Sequence, residues 1–363
     1  MSGLRILAID VGTGTQDVLV FEAGTLIENA VQVIMPSPTA LIAERVKEAT
    51  ADRVDLLLTG VTMGGGPDHW AVEAHLRAGL HVYATPDAAR TFDDDLERVT
   101  AMGIRIVDGP NGAGAARQLE LRDVYTAELM TALRAFGVST AFDAVAVAVF
   151  DHGAAPPGVS DRRFRFDYLR EQVDRGIGLT GFGFLVNEIP QRMTRMRAVA
   201  SSWTGAEPLF VMDTGPAAVL GALEDPRVGS TDRVMIANLG NFHTIAALLE
   251  EREIRGLFEH HTGELTKAEL EAYLDALAAG TLSDQAVFDD MGHGALRVGT
   301  VSAPPELLTV IGPRRALLEG SRLDPYLAVP HGDMMLAGCF GLLRALAARV
   351  PAYAPAIDDQ LGG

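Results

Sequence analysis

Cysteine and long apolar stretches are scarce in this sequence. Cys339 is the single cysteine among 363 residues, which excludes an intrachain disulfide framework. The longest wholly apolar stretch, residues 334–343, is well short of the ~18 residues that a membrane span needs. No basic and apolar leader precedes the first apolar run, residues 4–9. These absences predict a cytoplasmic protein that has no membrane partner.

Positive charge is also in short supply. The chain carries 30 Lys and Arg against 48 Asp and Glu, which gives a formal net charge of -18 at pH 7. Such a chain repels polyanions, so nucleic acid is not an expected partner. At ~150 residues per domain, the length predicts two domains.

A turn rich in glycine and threonine follows the first apolar run. Asp10 ends that run, and the turn leads into a second apolar run at residues 18–21. The turn residues are Gly12, Thr13, Gly14 and Thr15. Glycines let backbone N–H groups approach phosphate oxygens, and an aspartate beside them can hold Mg²⁺ through water. The segment therefore predicts either a nucleotide phosphate site, with Asp10 as metal ligand and catalytic carboxylate, or an ordinary glycine-rich hairpin.

The second half of the chain repeats this pattern. An apolar run at residues 234–237 leads into a polar turn, and another apolar run follows at residues 245–248. The polar residues in and beside this turn are Asn238, Gly240, Asn241, His243 and Thr244. A third run follows each hairpin, at residues 31–34 and 254–258. Two three-stranded meanders predict a duplicated fold.

Five short segments resemble, in the right order, the actin, DnaK-type chaperone and sugar-kinase superfamily of ATP-binding proteins. They are residues 10–15, 216–224, 238–244, 307–314 and 329–343. The resemblance implies an α/β fold of two ribonuclease H-like lobes that close over ATP and Mg²⁺. It also implies that both hairpins contact the phosphates and that Gly312 and Pro313 lie in the adenosine turn.

Two positions depart from the superfamily pattern. Asn238 stands where the second phosphate motif usually starts with Asp, so a metal-bound water would lose an anionic partner. Pro313 replaces a glycine of the adenosine turn. These departures predict either slow catalysis or a nucleotide that serves mainly as a ligand.

The sequence is also similar to a family of this superfamily whose members are often labelled pyruvate formate-lyase activating enzymes. A radical-generating activase of that kind holds a [4Fe-4S] cluster with three cysteine thiolates. This chain has only Cys339, in a segment that reads as a buried helix. We therefore expect no iron-sulfur cluster, and the label conflicts with the chemistry.

Composition and turns suggest where the chain divides. We expect an N-terminal lobe over residues 1–155, an arginine-rich connection over 156–208, a C-terminal lobe over 209–350 and a tail over 351–363. The arginines of the connection could bind an anionic small molecule or a protein partner. We favour the interpretation that these arginines lie on a solvent-exposed helix face and pair with acidic residues of the same segment.

Two further aspartates follow predicted strands. Asp151 ends the run at residues 144–150, and Asp213 ends the run at 209–212. Carboxylates at such strand ends line the ligand crevice of an open α/β sheet and can take a proton from a substrate hydroxyl. Both are candidate catalytic residues, with a capped turn as the alternative. A glycine-rich segment at residues 60–66 could likewise approach a ligand closely, or it could be a flexible connector between a strand and a helix.

The histidines show no metal-binding spacing. His260 and His261 are neighbours and would point to opposite faces of a strand, and no H-x-x-x-H pattern occurs. No dedicated transition-metal site is expected from this spacing, and His243 is a candidate phosphate donor.

Two functions fit these features. The first is an ATP-dependent phosphotransferase or ATPase acting on an unidentified substrate, which Asp151 and Asp213 favour. The second is a nucleotide-gated reactivase or chaperone-like protein that binds a partner, which Asn238 favours.

Overall fold

Three β-sheets form the framework of the part of the chain that the structure describes. A computed structural model describes residues 3–362, except for the side chains at positions 110 and 111. The strands, in chain order, are β1 (Arg5–Val11), β2 (Thr15–Glu22), β3 (Val31–Pro36), β4 (Leu56–Gly60), β5 (Val82–Ala84), β6 (Ile104–Ile106), β7 (Arg117–Leu121), β8 (Ala144–Val149), β9 (Gly183–Leu185), β10 (Leu209–Asp213), β11 (Arg233–Leu239), β12 (His243–Glu250), β13 (Glu253–His261), β14 (Gly294–Arg297), β15 (Leu307–Ile311) and β16 (Tyr326–Leu327).

Helices cover these sheets and connect their strands. In chain order they are α1 (Pro38–Ala51), α2 (Pro67–Arg77), α3 (Pro86–Ala89), α4 (Leu96–Ala101), α5 (Thr126–Ala135), α6 (Asp161–Asp174), α7 (Thr194–Ser202), α8 (Thr214–Ala222), α9 (Pro226–Gly229), α10 (Lys267–Ala278), α11 (Asp284–Asp289), α12 (Ala337–Arg349) and α13 (Ala354–Leu361). Within residues 3–362, no helix combines the length and the apolar character required to cross a bilayer.

The first sheet has the order β3-β2-β1-β8-β10-β9. Strands β1, β2 and β3 form an antiparallel meander, and β8 and β10 continue the sheet in parallel with β1. The apolar runs that predict β1 and β2 are buried here, with Ile6, Leu7 and Leu19 fully enclosed. The predicted first meander is confirmed.

The second large sheet repeats this arrangement in the order β14-β13-β12-β11-β15-β16. Strands β11, β12 and β13 are antiparallel, and β15 and β16 follow in parallel with β11. The duplicated fold expected from the sequence is therefore present. Between β3 and β8, the first lobe also carries an inserted parallel sheet of order β6-β5-β4-β7 with its own apolar core.

Helices α8 and α12 pack tightly against each other between the two sheets. A Cβ at Gly221 would collide with the backbone of Ala337, and one at Gly341 would collide with the backbone of Ala217. Small residues thus let the two backbones approach to direct contact. Helix α12 also contacts β1, β2 and β8, so it brings the end of the chain back onto the first sheet.

The expected division of the chain needs two corrections. Strand β10 was expected to open the C-terminal lobe, but it pairs with β8 and β9 inside the first sheet. The segment expected to be a tail forms α13, in which Ile357 is fully buried and Asp358 binds Arg344 of α12. In both segments, long-range pairing overrides what local composition indicates.

Candidate functional site

A cleft of about 810 Å³ lies between the two hairpin turns. The turns have the same closing hydrogen bond: the Gly12 N–H donates to the Thr15 carbonyl, and the Gly240 N–H donates to the His243 carbonyl, both at 2.9 Å. They also touch each other, because a Cβ at Gly14 would collide with the side-chain amide of Asn241. The fold thus brings together two turns that are more than 200 residues apart in sequence.

Most of the site residues expected from the sequence line this cleft. They are Asp10, Gly12, Thr13, Thr15, Asn238, Gly240, Asn241, His243, Gly312 and Pro313. Gly14 lies against Asn241 instead, and Thr244 is fully buried behind the turn, where its hydroxyl lies 3.0 Å from that of Thr262. The cleft is also lined by apolar groups, among them Ile311 and Met334.

A pair of aspartates lies at the base of the first turn. Asp10 on β1 is directly opposite Asp17 on β2, and both carboxylates are buried and line the cleft. Burial raises the pKa of Asp10 to about 6, opposed by a 2.6 Å hydrogen bond donated by the Thr214 hydroxyl. Burial and the neighbouring Asp10 raise the pKa of Asp17 to about 8. One Asp17 oxygen has no hydrogen-bond donor among the described residues.

Sequence reasoning missed Asp17, although its position carried a signal. A four-residue turn closed between Gly12 and Thr15 makes Val11 face Gln16 and Asp10 face Asp17. Residues directly opposite on antiparallel strands share one face of the sheet. The spacing Asp-x₆-Asp around such a turn therefore predicts two adjacent carboxylates.

The floor of the cleft is made by the start of α12. A Cβ at Gly338 would overlap the Asp10 carboxylate, so any larger residue would displace the side chain of Asp10 or the helix. The next residue, Cys339, donates its thiol to the Asp17 carbonyl at 3.3 Å. Burial raises the pKa of this thiol well above its usual range, so it stays protonated.

Asp213 takes part in a buried ion network beneath the cleft. The guanidinium of Arg165 binds both Asp213 oxygens and both Glu259 oxygens, and all three side chains are enclosed. Asp213 also caps α8 by accepting from the Gly215 N–H at 3.2 Å. The favoured interpretation of the arginine-rich segment is wrong for Arg165, because its partners come from distant strands. The same interpretation is consistent with Arg192, which pairs with Glu171 of this segment at the surface.

A second cavity of about 960 Å³ adjoins the cleft. The glycine-rich segment, which could either approach a ligand or connect, lines it with Gly64, Gly65 and Gly66. Charged groups in its wall are Arg90, Asp93, Asp94, Asp151, Asp161 and Arg195. The residues common to both cavities are Thr13, Phe150, Arg195, Phe242 and His243. A group bound at the first turn therefore faces this second cavity.

The carboxylates of the second cavity differ in how they are bound. Asp151 accepts from the Gly153 N–H and the Met196 N–H, both at 2.8 Å, so each oxygen already has a donor. Burial raises the pKa of Asp151 to about 6. Burial, with the charges of Asp161 and Asp151, also raises the pKa of Asp94 to about 6. Asp94 combines that raised pKa with partial exposure to the cavity. Burial and the charge of Asp93 also raise the pKa of Asp161, which is exposed in the same wall.

Three histidines converge where the two cavities meet. One ring nitrogen from each of His152, His243 and His293 lies within 4.8 Å of the other two. The ring of His243 stacks on Phe150 with 3.8 Å between centroids, and the Arg165 guanidinium lies 3.9 Å from the same Phe150 centroid. No spacing in the sequence predicts this cluster, because its members come from three separate segments.

The duplicated sheets and the cleft between them define an actin-like ATPase fold. Within that class, the chain belongs to the family described as "Putative pyruvate format-lyase activating enzyme (DUF1786)", whose model matches residues 63–317. No curated protein matches the chain.

Solved structures that are similar to this chain at low sequence identity include three proteins. The Aquifex aeolicus PPX-GPPA enzyme is 10% identical with a TM-score of 0.30, over 87% of this chain and 72% of that one. The ethanolamine utilization protein EutJ from Carboxydothermus hydrogenoformans is 11% identical with a TM-score of 0.32, over 95% and 90%. The ROK hexokinase from Thermus thermophilus is 13% identical with a TM-score of 0.26, over 98% and 88%.

Proposed function

We propose that the cleft binds ATP together with Mg²⁺ and that the protein transfers or hydrolyses the terminal phosphoryl group. The observation that carries this proposal is the buried pair Asp10 and Asp17 beside the first turn. Like charges directly opposite on two strands destabilise a sheet, and a buried carboxylate without a partner costs several kcal/mol. A divalent cation with oxygen ligands offsets both costs.

The turns supply the phosphate contacts in this proposal. Thr13 and Thr15 line the cleft from the first lobe, and Asn241 and His243 line it from the second, so their backbone N–H groups are the candidate phosphate donors. Oriented N–H groups of this kind form concave anion sites. Gly312, Pro313 and Met334 line the remainder of the cleft and suit the less polar nucleoside.

The acceptor would occupy the second cavity. A terminal phosphate near Thr13 points into this cavity, because Thr13 lines both spaces. The cavity offers Arg90 to an anionic group and Asp94 as the general base. Arg195 lines the same space but is held by the Asp123 carboxylate and the Phe150 carbonyl. A base works best when its pKa lies near the working pH, and the raised pKa of Asp94 moves in that direction. Asp151 and Asp213 are engaged by other protein groups, so we assign them to positioning.

A nucleotide-gated partner-binding protein is the second candidate. Arg165 on α6 joins Asp213 at the end of the first sheet to Glu259 in the second sheet, directly below the cleft. A charge network that crosses the two lobes could couple nucleotide binding to lobe closure, which a partner surface would then sense.

Radical activation by an iron-sulfur cluster is not part of this proposal. This chain supplies one thiol, that of Cys339, and its sulfur is buried against the β1–β2 hairpin. A [4Fe-4S] cluster of an activase draws on three thiolates.

Calorimetric titration of ATP with and without Mg²⁺ tests the cation site. We expect Asp10→Asn and Asp17→Asn to weaken Mg·ATP binding by at least about tenfold, or about 1.4 kcal/mol, while metal-free ATP binding changes little. The exposed Asp87→Asn in the same lobe is the matched control. Equal Mg·ATP affinities in all four proteins would refute the site.

Labelled ATP incubated with a metabolite pool separates the two functions. A phosphorylated metabolite whose formation falls by roughly 10² to 10⁴-fold in Asp94→Asn supports the phosphotransferase. Low turnover with every metabolite, together with a protein partner retained only with nucleotide, supports the gated binder.

A further inference from the structure

The three converging histidines come from separate parts of the fold. His152 follows β8, His243 begins β12, and His293 precedes β14. The backbone holds the last of these in place, because the His293 N–H donates to the Glu259 carbonyl of β13 at 2.9 Å. No local sequence pattern requires three imidazoles to meet at this point, so their convergence is a property of the tertiary structure.

The ring nitrogens of this cluster have few protein partners. Nε2 of His243 and both ring nitrogens of His293 are buried without a hydrogen bond to any described residue. His293 is fully enclosed. A buried polar group that has no hydrogen-bond partner destabilises the fold. Two of the three converging imidazoles, those of His243 and His293, share this deficit, and the ring of His152 lies beside them, so the site suits a ligand that accepts several nitrogen lone pairs.

We propose that His152, His243 and His293 bind one divalent transition metal ion, with zinc as the natural occupant. Three imidazole nitrogens with a further position open to a cavity are typical of catalytic zinc sites. His152 and His243 line the second cavity, so the open position faces that space. The proposal does not depend on nucleotide binding.

The electrostatic environment suits this ligand set. Burial lowers the pKa of His152 to about 3, and it lowers the pKa of His243 and of His293 well below the usual range. Neutral imidazole is the form that binds metal. Imidazole favours zinc and related ions, whereas the carboxylates of Asp10 and Asp17 favour Mg²⁺. The two sites should thus select different cations.

Outer groups fix the orientation of the rings. Glu259 Oε2 lies 3.8 Å from Nδ1 of His293, and Arg165 holds that carboxylate in place. A carboxylate behind a ligating histidine raises its basicity and selects the tautomer. Phe150 stacks on His243 and prevents it from turning. Arg165, Asp213 and Glu259 together leave one net negative charge near the ion when both carboxylates are ionised.

Metal binding by the full-length protein, without ATP, tests the proposal. After treatment with a chelator, zinc is added in competition with a chromophoric chelator, and bound metal is counted by mass spectrometry. We expect one zinc per chain. His243→Ala and His293→Gln should each lower zinc affinity by at least about 100-fold, which exceeds the ~10–100-fold effect of outer-shell partners.

Two other histidines provide matched controls. His75→Gln alters a buried histidine that contacts Thr50, and His81→Ala alters an exposed one. Both should keep full zinc affinity. Wild-type protein without stoichiometric zinc, or a His243→Ala protein that binds zinc as well as wild type, would overturn the proposal.

A measurement on wild-type protein keeps the proposal testable if a variant fails to fold. X-ray absorption of the zinc-loaded protein should show scattering from three imidazole rings and one oxygen ligand at the open position. The cobalt form should show the visible bands of a four-coordinate ion. A coordination sphere made only of oxygen would place the ion elsewhere and refute the site.

Discussion

The two hairpin turns have the same backbone hydrogen bonding but carry different side chains. Their registers are equivalent, so Asp10 corresponds to Asn238 and Asp17 corresponds to Ile245. The first turn therefore has two facing carboxylates, whereas the second has an amide opposite an aliphatic side chain. Both lobes have the same hydrogen bonding in the turn. The first turn has the carboxylates that a cation site needs, and the second turn lacks them.

The turn tips differ as well. Thr13, Gly14 and Thr15 of the first lobe are small and rich in donors, whereas the corresponding positions in the second lobe are Asn241, Phe242 and His243. The first turn suits a hydrated cation and phosphate oxygens. The second turn places an aromatic wall and an imidazole at the boundary between the two cavities. Under the proposed function, the first lobe would bind the metal–phosphate group and the second lobe would shape the path to the second cavity.

The largest expected effect concerns the residue that joins the two lobes. Arg165→Met leaves the Asp213 and Glu259 carboxylates buried without their cation. We expect the free energy of unfolding to fall by about 3–5 kcal/mol, as is usual when one partner of a buried pair is removed. Urea denaturation measures it.

The matched control is Arg117→Met, which breaks a pair with Asp52 at the surface and should cost no more than about 1 kcal/mol. Replacing Asp213 and Glu259 by their amides in the Arg165→Met background should recover part of the loss. An Arg165→Met protein as stable as Arg117→Met would show that the lobes are held together without this network.

A pH effect on stability should be larger around the inserted sheet of the first lobe than in the second lobe. Asp68 in α2, beside the inserted sheet, is fully buried, and burial raises its pKa to about 7, opposed by hydrogen bonds from Thr39 and the His69 N–H. Folded protein keeps this proton while the unfolded chain, with a pKa of 3.8, releases it. The contribution of Asp68 to stability is therefore complete below about pH 4 and declines until about pH 7.

At about 1.4 kcal/mol per pKa unit, this decline amounts to about 4 kcal/mol at most. Hydrogen exchange measured by mass spectrometry at pH 5 and pH 8 should show the inserted sheet loosening with rising pH while β11–β13 of the second lobe changes less. Asp68→Asn should flatten the difference. An equal change in both lobes would exclude Asp68 as the cause.

Local sequence signals account for the hairpins and for several helix ends. Thr266 and Glu269 predict a capping box, and the structure contains it at the start of α10. Such features depend on residues a few positions apart, so spacing reveals them. Asp17 could have been inferred in the same way, from the register of its turn.

The remaining features of the site depend on contacts between distant segments. Arg165 meets Glu259 across 94 positions, and the three histidines come from three separate segments. Strand β10 joins the first sheet because β8 offers it a parallel edge. No spacing rule predicts which strands become neighbours, so the ion network, the histidine cluster and the second cavity required the three-dimensional structure.

The contact between the two turns predicts a smaller effect. Gly14→Ala places a methyl group against the Asn241 amide, which is the mobile end of an exposed side chain. The turns must then separate slightly, and we expect Mg·ATP affinity to fall by about tenfold, or about 1.4 kcal/mol. Gly263→Ala, where a Cβ meets nothing within 4 Å, is the control. Adding Asn241→Ala should restore affinity, and a double variant as weak as Gly14→Ala would exclude this contact as the cause.

The smallest effect is expected where the second turn is made to resemble the first. Asn238→Asp introduces a carboxylate at the position equivalent to Asp10, but its opposite neighbour remains Ile245, so a second cation site lacks its other ligand. The new charge faces phosphates and lies beside the backbone of Gly312. We therefore expect Mg·ATP affinity to fall by no more than about threefold, or about 0.6 kcal/mol, with no gain in turnover. Calorimetry measures the affinity, and phosphate release measures the turnover. A tenfold rise in turnover would mean that the amide at Asn238 limits catalysis and that the two turns act as equal partners on the metal.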